Sequence, residues 1–282
     1  MPSLTKIIYV AGLYHTGSTL LDLTLGGHSK IIGFGEVYKT AKDGPEEQCT
    51  CGKAPHDCLF WSQVLAAKNN SHHEEFYNTF LRVARSMYGE ELVILDSSKC
   101  SPFRAFDWKS AATYRGLDFW VKADVKLAVV HLTRDPRSWV AALRRRDKRM
   151  RSSGEESLMQ RIKHMELFRY AQWLVGHRRI ERYLKAMNIP HVRFSYEEFC
   201  EDPKTCLSSA TSLFQLEYEE SMLKLRQSSS HICVGNPARL ESATNREIQY
   251  DTRWIEAGES CFGTIFAKMF SRRIREIVYG NQ

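Results

Sequence analysis

Residues 12–21 read GLYHTGSTLL and place Gly12, Gly17 and Thr19 at the spacing G-x-x-x-x-G-x-T. That is the spacing of a P-loop, a glycine-rich turn that aims backbone N–H groups at a phosphate and then enters a helix. The helix N-terminus adds partial positive charge without any side-chain cation. Nucleotide triphosphatases put a lysine after the second glycine, where it spans the β- and γ-phosphates. Ser18 stands there in this chain. A loop without that lysine suits a single 5′-phosphate carrying a small leaving group better than a triphosphate. Ser18 and Thr19 add two hydroxyl donors.

Two more polar clusters follow apolar runs. DSSK, Asp96 to Lys99, follows LVIL, and TRDPRS, Thr133 to Ser138, follows VKLAVVHL. A different set of chemistry-bearing residues lies in CTCGKAPHDC, with Cys49, Cys51, His56 and Cys58 close in sequence. Three thiols and an imidazole make a tetrahedral zinc set. The spacing C-x-C-x6-C is not that of a standard finger, so a disulfide and a loop of free thiols are the other readings.

The elements that must position these residues alternate. Strands are expected at Lys6–Ala11, Leu92–Leu95, Lys126–Thr133 and His191–Phe194, with a short extended segment in KIIGFGE. Helices are expected at Gly17–Leu25 with Thr16 as its cap, Leu59–Ala67, Glu74–Tyr88 and Pro136–Arg146. Further helices are expected at Ser157–Met187 with a break near Gly176, in DPKTCLSSATSLFQL, and at Phe262–Tyr279. Residues 228–250 read as irregular. Apolar strands separated by helices imply an α/β fold in three layers, a parallel sheet covered on both faces. Ligands bind beyond the carboxyl ends of such strands, so the clusters at Tyr14–Thr19, Asp96–Lys99 and Thr133–Ser138 should converge on one crevice.

The chain has 282 residues, 43% of them hydrophobic and 26% charged, with a formal net charge of +7. That balance fits a folded chain that attracts phosphate- or sulfate-bearing nucleotides. The basic run RRRDKRMR, Arg144 to Arg151, has no nucleic-acid module around it, so a nucleic-acid partner is not expected. No apolar run approaches membrane-spanning length and no leader is visible, which points to a cytoplasmic protein.

Four segments together resemble the sulfotransferases that use 3′-phosphoadenosine 5′-phosphosulfate (PAPS). GLYHTGSTLL is similar to their 5′-phosphosulfate loop, and LTRDPRSWVAAL to their 3′-phosphate strand–turn–helix. RFSYEEFCEDPKTCL resembles their Tyr-Glu-x-x-x-x-x-Pro segment, and HICVGNPAR a late His-x-x-x-Gly-Asn-Pro segment of bacterial members. The segments keep the family's order. The resemblance implies one domain over residues 1–282 with a P-loop, nucleotide-kinase-like fold and acceptor-side insertions near 38–90 and 144–175. It implies transfer of a sulfuryl group from PAPS to a hydroxyl or amine of a small-molecule, sugar or lipid acceptor, leaving 3′,5′-ADP without need of Mg²⁺. A homodimer is compatible with it.

The resemblance also implies roles. Backbone amides from His15 through Thr16, Gly17, Ser18 and Thr19 would cradle the 5′-phosphate. Arg134 would bind the 3′-phosphate with Ser138 in support, because the serine that the family places eight residues after the arginine is Ala142 here. Arg144 is a further candidate for compensation, Tyr196 would lie near the nucleotide, and Arg239 is a second 3′-phosphate or adenine candidate. Glu36 would be the general base and Lys99 would neutralise charge on the transferring group. His15 replaces the family's Arg or Lys, so it either donates to the leaving phosphosulfate or competes with Glu36 as base. The alternatives are a P-loop small-molecule kinase, with Asp96 as its metal ligand, and an inactive nucleotide-binding homologue. His131 reads as a satisfied core residue, and most of Phe60, Trp61, Tyr88, Phe168, Tyr170 and Trp173 read as core.

Overall fold

The computed structural model describes residues 4–46, 48–66, 73–100, 116–150, 165–225, 230–241, 248–256 and 265. The helix expected at Phe262–Tyr279 and the first part of the one expected from Ser157 lie outside them.

Five parallel strands form the centre: β1 Lys6–Ala11, β2 Ile31–Gly33, β3 Val93–Asp96, β4 Lys126–Thr133 and β5 His191–Ser195. Their order is β2-β3-β1-β4-β5, and every pairing is parallel. The apolar runs are continuous because both faces are covered. Alternate residues of β1 serve opposite sides. Ile7, Tyr9 and Ala11 pack with Trp120, Trp139 and Trp173, whereas Ile8 and Val10 pack with Leu21, Leu25, Phe199 and Leu207.

The helices are α1 Ser18–Leu25, α2 Val37–Asp43, α3 Trp61–Ala66, α4 His73–Tyr88, α5 Leu117–Lys122, α6 Pro136–Met150, α7 Glu166–Ala186, α8 Tyr196–Glu201, α9 Pro203–Ser212, α10 Ala238–Glu241 and α11 Arg253–Glu256. The short helices α2, α5 and α8 fall where the sequence shows no helical period long enough to read. Helix α7 runs through Gly176 without the expected break; the glycine is buried there. α8 is fixed by a capping box in which Ser195 and Glu198 each satisfy the other's backbone amide.

This order sets the position of the site. The chain leaves β1, builds β2 and β3 on one side, and returns to place β4 on the other. The loop after β1 therefore opens at the point where the winding reverses, the place where such sheets bind ligands.

Candidate active site

The phosphate loop is shaped by its backbone. His15 has φ 64° and Gly17 φ 92°, so two residues of the turn are left-handed. A side chain is strained in that region, at a cost of about 1–3 kcal/mol for a residue such as His15. At Gly17 a side chain is also excluded by contact. A Cβ there would lie 2.5 Å from Cδ2 of Tyr196. The tyrosine ring thus rests on the loop. Thr16 does not cap α1. Gly17 is the N-cap residue, no side chain caps it, and the buried Thr16 hydroxyl donates to the Leu13 carbonyl at 2.8 Å. A left-handed residue directly before the helix puts the Thr16 side chain on the inside of the turn. The amides of Ser18, Thr19 and Leu20 open the helix and have no intrahelical acceptor.

Beside this loop lies Arg134, 6% exposed. Its Nε donates to Ser138 Oγ at 2.8 Å, one turn along α6, and another N–H reaches the His15 carbonyl at 2.9 Å. Its guanidinium stacks on the Tyr196 ring, 4.6 Å from the centroid. Trp173 donates to the Arg134 carbonyl at 2.8 Å and Trp139 to that of Tyr14 at 2.5 Å, which pins both strand ends. Asp251, which the sequence reading missed, sits 3.4 Å from Arg134 and 2.8 Å from Arg145. Burial works against its charge, but hydrogen bonding from Arg253 and the surrounding arginines hold its pKa down at about 2. Arg144 faces elsewhere and pairs with Glu166 at 2.9 Å. Its link to the site is not legible locally, because Arg134 and Arg145 are more than a hundred residues away and only Arg253 is near in sequence.

The third cluster brings Glu36 and Lys99 together. Lys99 Nζ lies 2.5 Å from Glu36 Oε1, with both side chains largely buried. Glu36 is the N-cap residue of α2. Lys99 has φ 64°, and its carbonyl accepts from the Tyr9 hydroxyl. The next amide, Cys100 N–H, donates to the Gly12 carbonyl at 2.9 Å, while Ser97 N–H reaches the Gly35 carbonyl at 2.8 Å. The loop after β3 is therefore stitched to the phosphate loop on one side and to the Glu36 turn on the other. Asp96 is fully buried and accepts from Ser98 and from Trp120 Nε1 at 2.8 Å. Burial pushes its pKa up to about 7, and both of its oxygens already accept hydrogen bonds.

Residues 8–220 match the model of the sulfotransferase family. The chain belongs to the sulfotransferase family. Among solved structures, this sulfotransferase is similar to the sulfotransferase domain from the curacin biosynthetic pathway, with 14% identity, coverage of 95% of this chain and 98% of that one, and a TM-score of 0.54. It is also similar to the sulfotransferase domain of the Synechococcus PCC 7002 olefin synthase, at 18% identity, 96% coverage of each chain and a TM-score of 0.48. Mouse sulfotransferase SULT7A1 complexed with PAP matches at 14% identity, over 96% of this chain and 85% of that one, with a TM-score of 0.49. Likeness at such identities is one of fold. Among curated proteins, no sequence matches significantly.

The remaining expected residues of this sulfotransferase fall away from that crevice. Arg239 is buried and occupied with Glu46 at 2.9 Å and the Gln48 carbonyl at 3.2 Å, so it braces the cysteine loop instead of facing Arg134. His131 is fully buried in β4, with Glu181 2.6 Å from Nδ1 and His177 2.9 Å from Nε2. Phe60, Trp61, Tyr170 and Trp173 are core residues, while Tyr88 and Phe168 are half-buried.

The cysteine cluster needs one correction. Cys49, Cys51 and Cys58 do converge, but their fourth neighbour is His231 and not His56. His56 is exposed, 3.2 Å from Asp57. It sits on a turn whose direction carries the ring into solvent, whereas His231 arrives from a segment whose amide donates to the Gly33 carbonyl at the end of β2. The three cysteines are thiols; Cys49 and Cys58 Sγ stand 3.8 Å apart, far beyond the ~2.05 Å of a disulfide.

Proposed function

We propose that this sulfotransferase moves a sulfuryl group from PAPS to an acceptor hydroxyl, or an amine, by in-line displacement. The reading rests above all on the buried Lys99–Glu36 ion pair beside a phosphate loop that lacks the triphosphatase lysine. A cation and a carboxylate are the two groups that such a transfer needs, one for charge leaving on phosphate and one for the acceptor's proton.

The amides of the loop and of α1 hold the 5′-phosphate, with the Ser18 and Thr19 hydroxyls beside them. Arg134, already oriented by Ser138 and Tyr196, takes the 3′-phosphate; two of its five N–H groups remain beyond those it gives to Ser138, His15 and Asp251. Lys99 turns from Glu36 toward the oxygen that bridges phosphorus and sulfur and neutralises the charge growing there. Glu36, freed of its partner, accepts the acceptor's proton. As the new acceptor O–S bond forms, the S–O bond to phosphate breaks, and the electron pair leaves with 3′,5′-ADP. In this reading His15 donates to the departing phosphate oxygen. We assign it that role because its carbonyl and backbone belong to the cradle, and we assign the base to Glu36. The whole of residues 1–282 acts as one domain in this reading, and transfer needs no Mg²⁺. Asp96, the candidate magnesium ligand of a kinase, has both oxygens held by Ser98 and Trp120, which favours the transferase reading.

The test is calorimetric titration with 3′,5′-ADP and, in parallel, with ATP and Mg²⁺, followed by transfer from sulfur-labelled PAPS with Mg²⁺ omitted. Binding of 3′,5′-ADP at micromolar concentration with label appearing in an acceptor supports the reading. Binding of ATP with Mg²⁺ alone overturns it. Nucleotide binding without transfer to a broad panel of phenols, sugars and lipid alcohols would favour an inactive homologue.

A further inference from the structure

We propose that Cys49, Cys51, Cys58 and His231 form a structural zinc site that ties the cysteine loop to the segment bearing His231. The four donor atoms lie within 4.8 Å of one another. Cys49 and Cys58 Sγ are 3.8 Å apart, and the His231 Nδ1 lies 3.9 Å from Cys49 Sγ and 3.2 Å from Cys58 Sγ. A tetrahedron with Zn–S of ~2.3 Å and Zn–N of ~2.0–2.1 Å has S–S edges of about 3.8 Å and S–N edges of about 3.5 Å. The Cys49–Cys58 separation matches such an edge, the two S–N separations lie within about 0.4 Å of theirs, and the whole set needs only a small contraction from its 4.8 Å spread to close on the ion. Thiolates with one imidazole select zinc over the hard divalent cations. Four protein ligands close the coordination shell, which is the mark of a structural site and leaves no position for a reacting water.

The surroundings are built to hold the ligands. Cys49 N–H donates to the Lys53 carbonyl and Gly52 N–H to the Cys49 carbonyl, so the first two thiols lie on a tight turn. The Thr50 amide donates to the Ile232 carbonyl, its hydroxyl donates to the Ser230 carbonyl at 2.6 Å, and the hydroxyl accepts from Ile232 N–H at 3.0 Å. Trp61 Nε1 donates to the His231 carbonyl at 2.6 Å. The imidazole is flanked by Phe34 and Phe60, whose ring planes lie within 29° of its own. Cys49 and Cys58 are fully buried, while Cys51 is exposed and gives the metal a way in.

The segment that zinc would fix reaches the transfer site. Gly35 has φ 70°, and a Cβ on it would lie 2.5 Å from Ile232. A Cβ on Gly235 would stand 3.5 Å from Glu36 Oε1. The metal therefore holds the wall behind Glu36 without touching the reacting groups.

The proposal is tested by the metal content of the full-length protein, produced with zinc in the medium and purified without chelators. The expected result is one zinc per chain, released by a mercurial thiol reagent together with a fall in Tm. Cobalt exchanged into the site should give intense tetrahedral d–d bands and thiolate-to-metal charge transfer. His231→Ala should lose the zinc on dialysis and His56→Ala should keep it. A cooperatively folded wild-type protein that holds far less than one zinc after equilibration with zinc buffer overturns the proposal. So does a cobalt spectrum without thiolate bands, or loss of metal in His56→Ala with retention in His231→Ala. If Cys58→Ser or His231→Ala does not fold, the wild-type stoichiometry and the cobalt spectrum decide.

Discussion

Around the phosphate loop, neighbours in sequence do most of the shaping: residues 12–19 make the turn, and residues 134 and 138 lie one helical turn apart. Around Cys58, the shape comes from chain segments some 170 residues apart that meet at the end of β2, held by Thr50, Trp61 and the His231 amide. The first region is arranged to leave backbone donors and a cation open to a ligand. The second is aromatic and largely buried, with Cys51 alone among its donors exposed. If one is the substrate's place and the other a clasp, as proposed, changes to them should separate turnover from stability.

Glu36→Gln gives the largest effect and sharpens that contrast. Turnover of sulfur-labelled PAPS should fall by about 10²–10⁴-fold, the usual worth of a general base. Calorimetric affinity for 3′,5′-ADP should stay within about threefold. An equal loss of affinity would mean that Glu36 only supports the fold. Asp22 comes next and lies on the seam between the two regions, since a Cβ on Gly33 would strike its Oδ1 and also approach Ser230. It is fully buried, with only weak hydrogen-bonding contacts from Ser97 and the Gly35 backbone to its carboxylate. Burial pushes its pKa from the ordinary 3.8 to about 7. The folded chain therefore keeps this proton after the unfolded chain has lost it. Stability from the group is present below about pH 4 and is lost as pH rises toward 7. Asp22→Asn should raise stability at pH 8 by on the order of 3 kcal/mol and add little at pH 4, as read by urea unfolding.

Arg134→Ala should weaken 3′,5′-ADP binding by ~1.5–3 kcal/mol, the worth of a charged hydrogen bond, and Tm should fall as well, because the buried guanidinium leaves Ser138, the His15 carbonyl and Asp251 without it. Because the change leaves Asp251 facing the same space, Arg134→Ala with Asp251→Asn should recover part of the loss in titration. Smallest of all, His56→Ala should leave both turnover and stability within about 0.5 kcal/mol, since the ring is exposed.

The strand–loop–helix order, the parallel sheet and the three converging strand ends could be read from the sequence because each rests on a local signal: a buried apolar run, a glycine spacing or a proline at a helix start. Glu36 and Lys99 were named separately, and only the topology that places β3 between β2 and β1 turns them into a pair. His231 was visible as part of HICVGNPAR but not as a partner of the cysteines. Nothing local distinguishes it from His56, which is nearer in sequence and carried away from the thiols by its turn. Asp251 and Asp22 were invisible for the same reason. Burial is the largest single influence on both; Asp251 is held against it by distant Arg134 and Arg145 beside its neighbour Arg253, and Asp22 lies among Ser97, Asp96 and Lys99, which only the fold brings to it. Thr16 had the right chemistry for a helix cap and lost the position to a glycine whose left-handed φ the loop requires.

The Lys99–Glu36 ion pair also bears on kinetic order. While the lysine holds the carboxylate, an acceptor that arrives alone meets a base whose lone pairs are already engaged. Arrival of the donor is what draws the lysine away. In the proposed chemistry the two substrates therefore bind in a compulsory sequence, donor first. Initial-rate patterns with 3′,5′-ADP as inhibitor should be competitive against PAPS and noncompetitive against the acceptor.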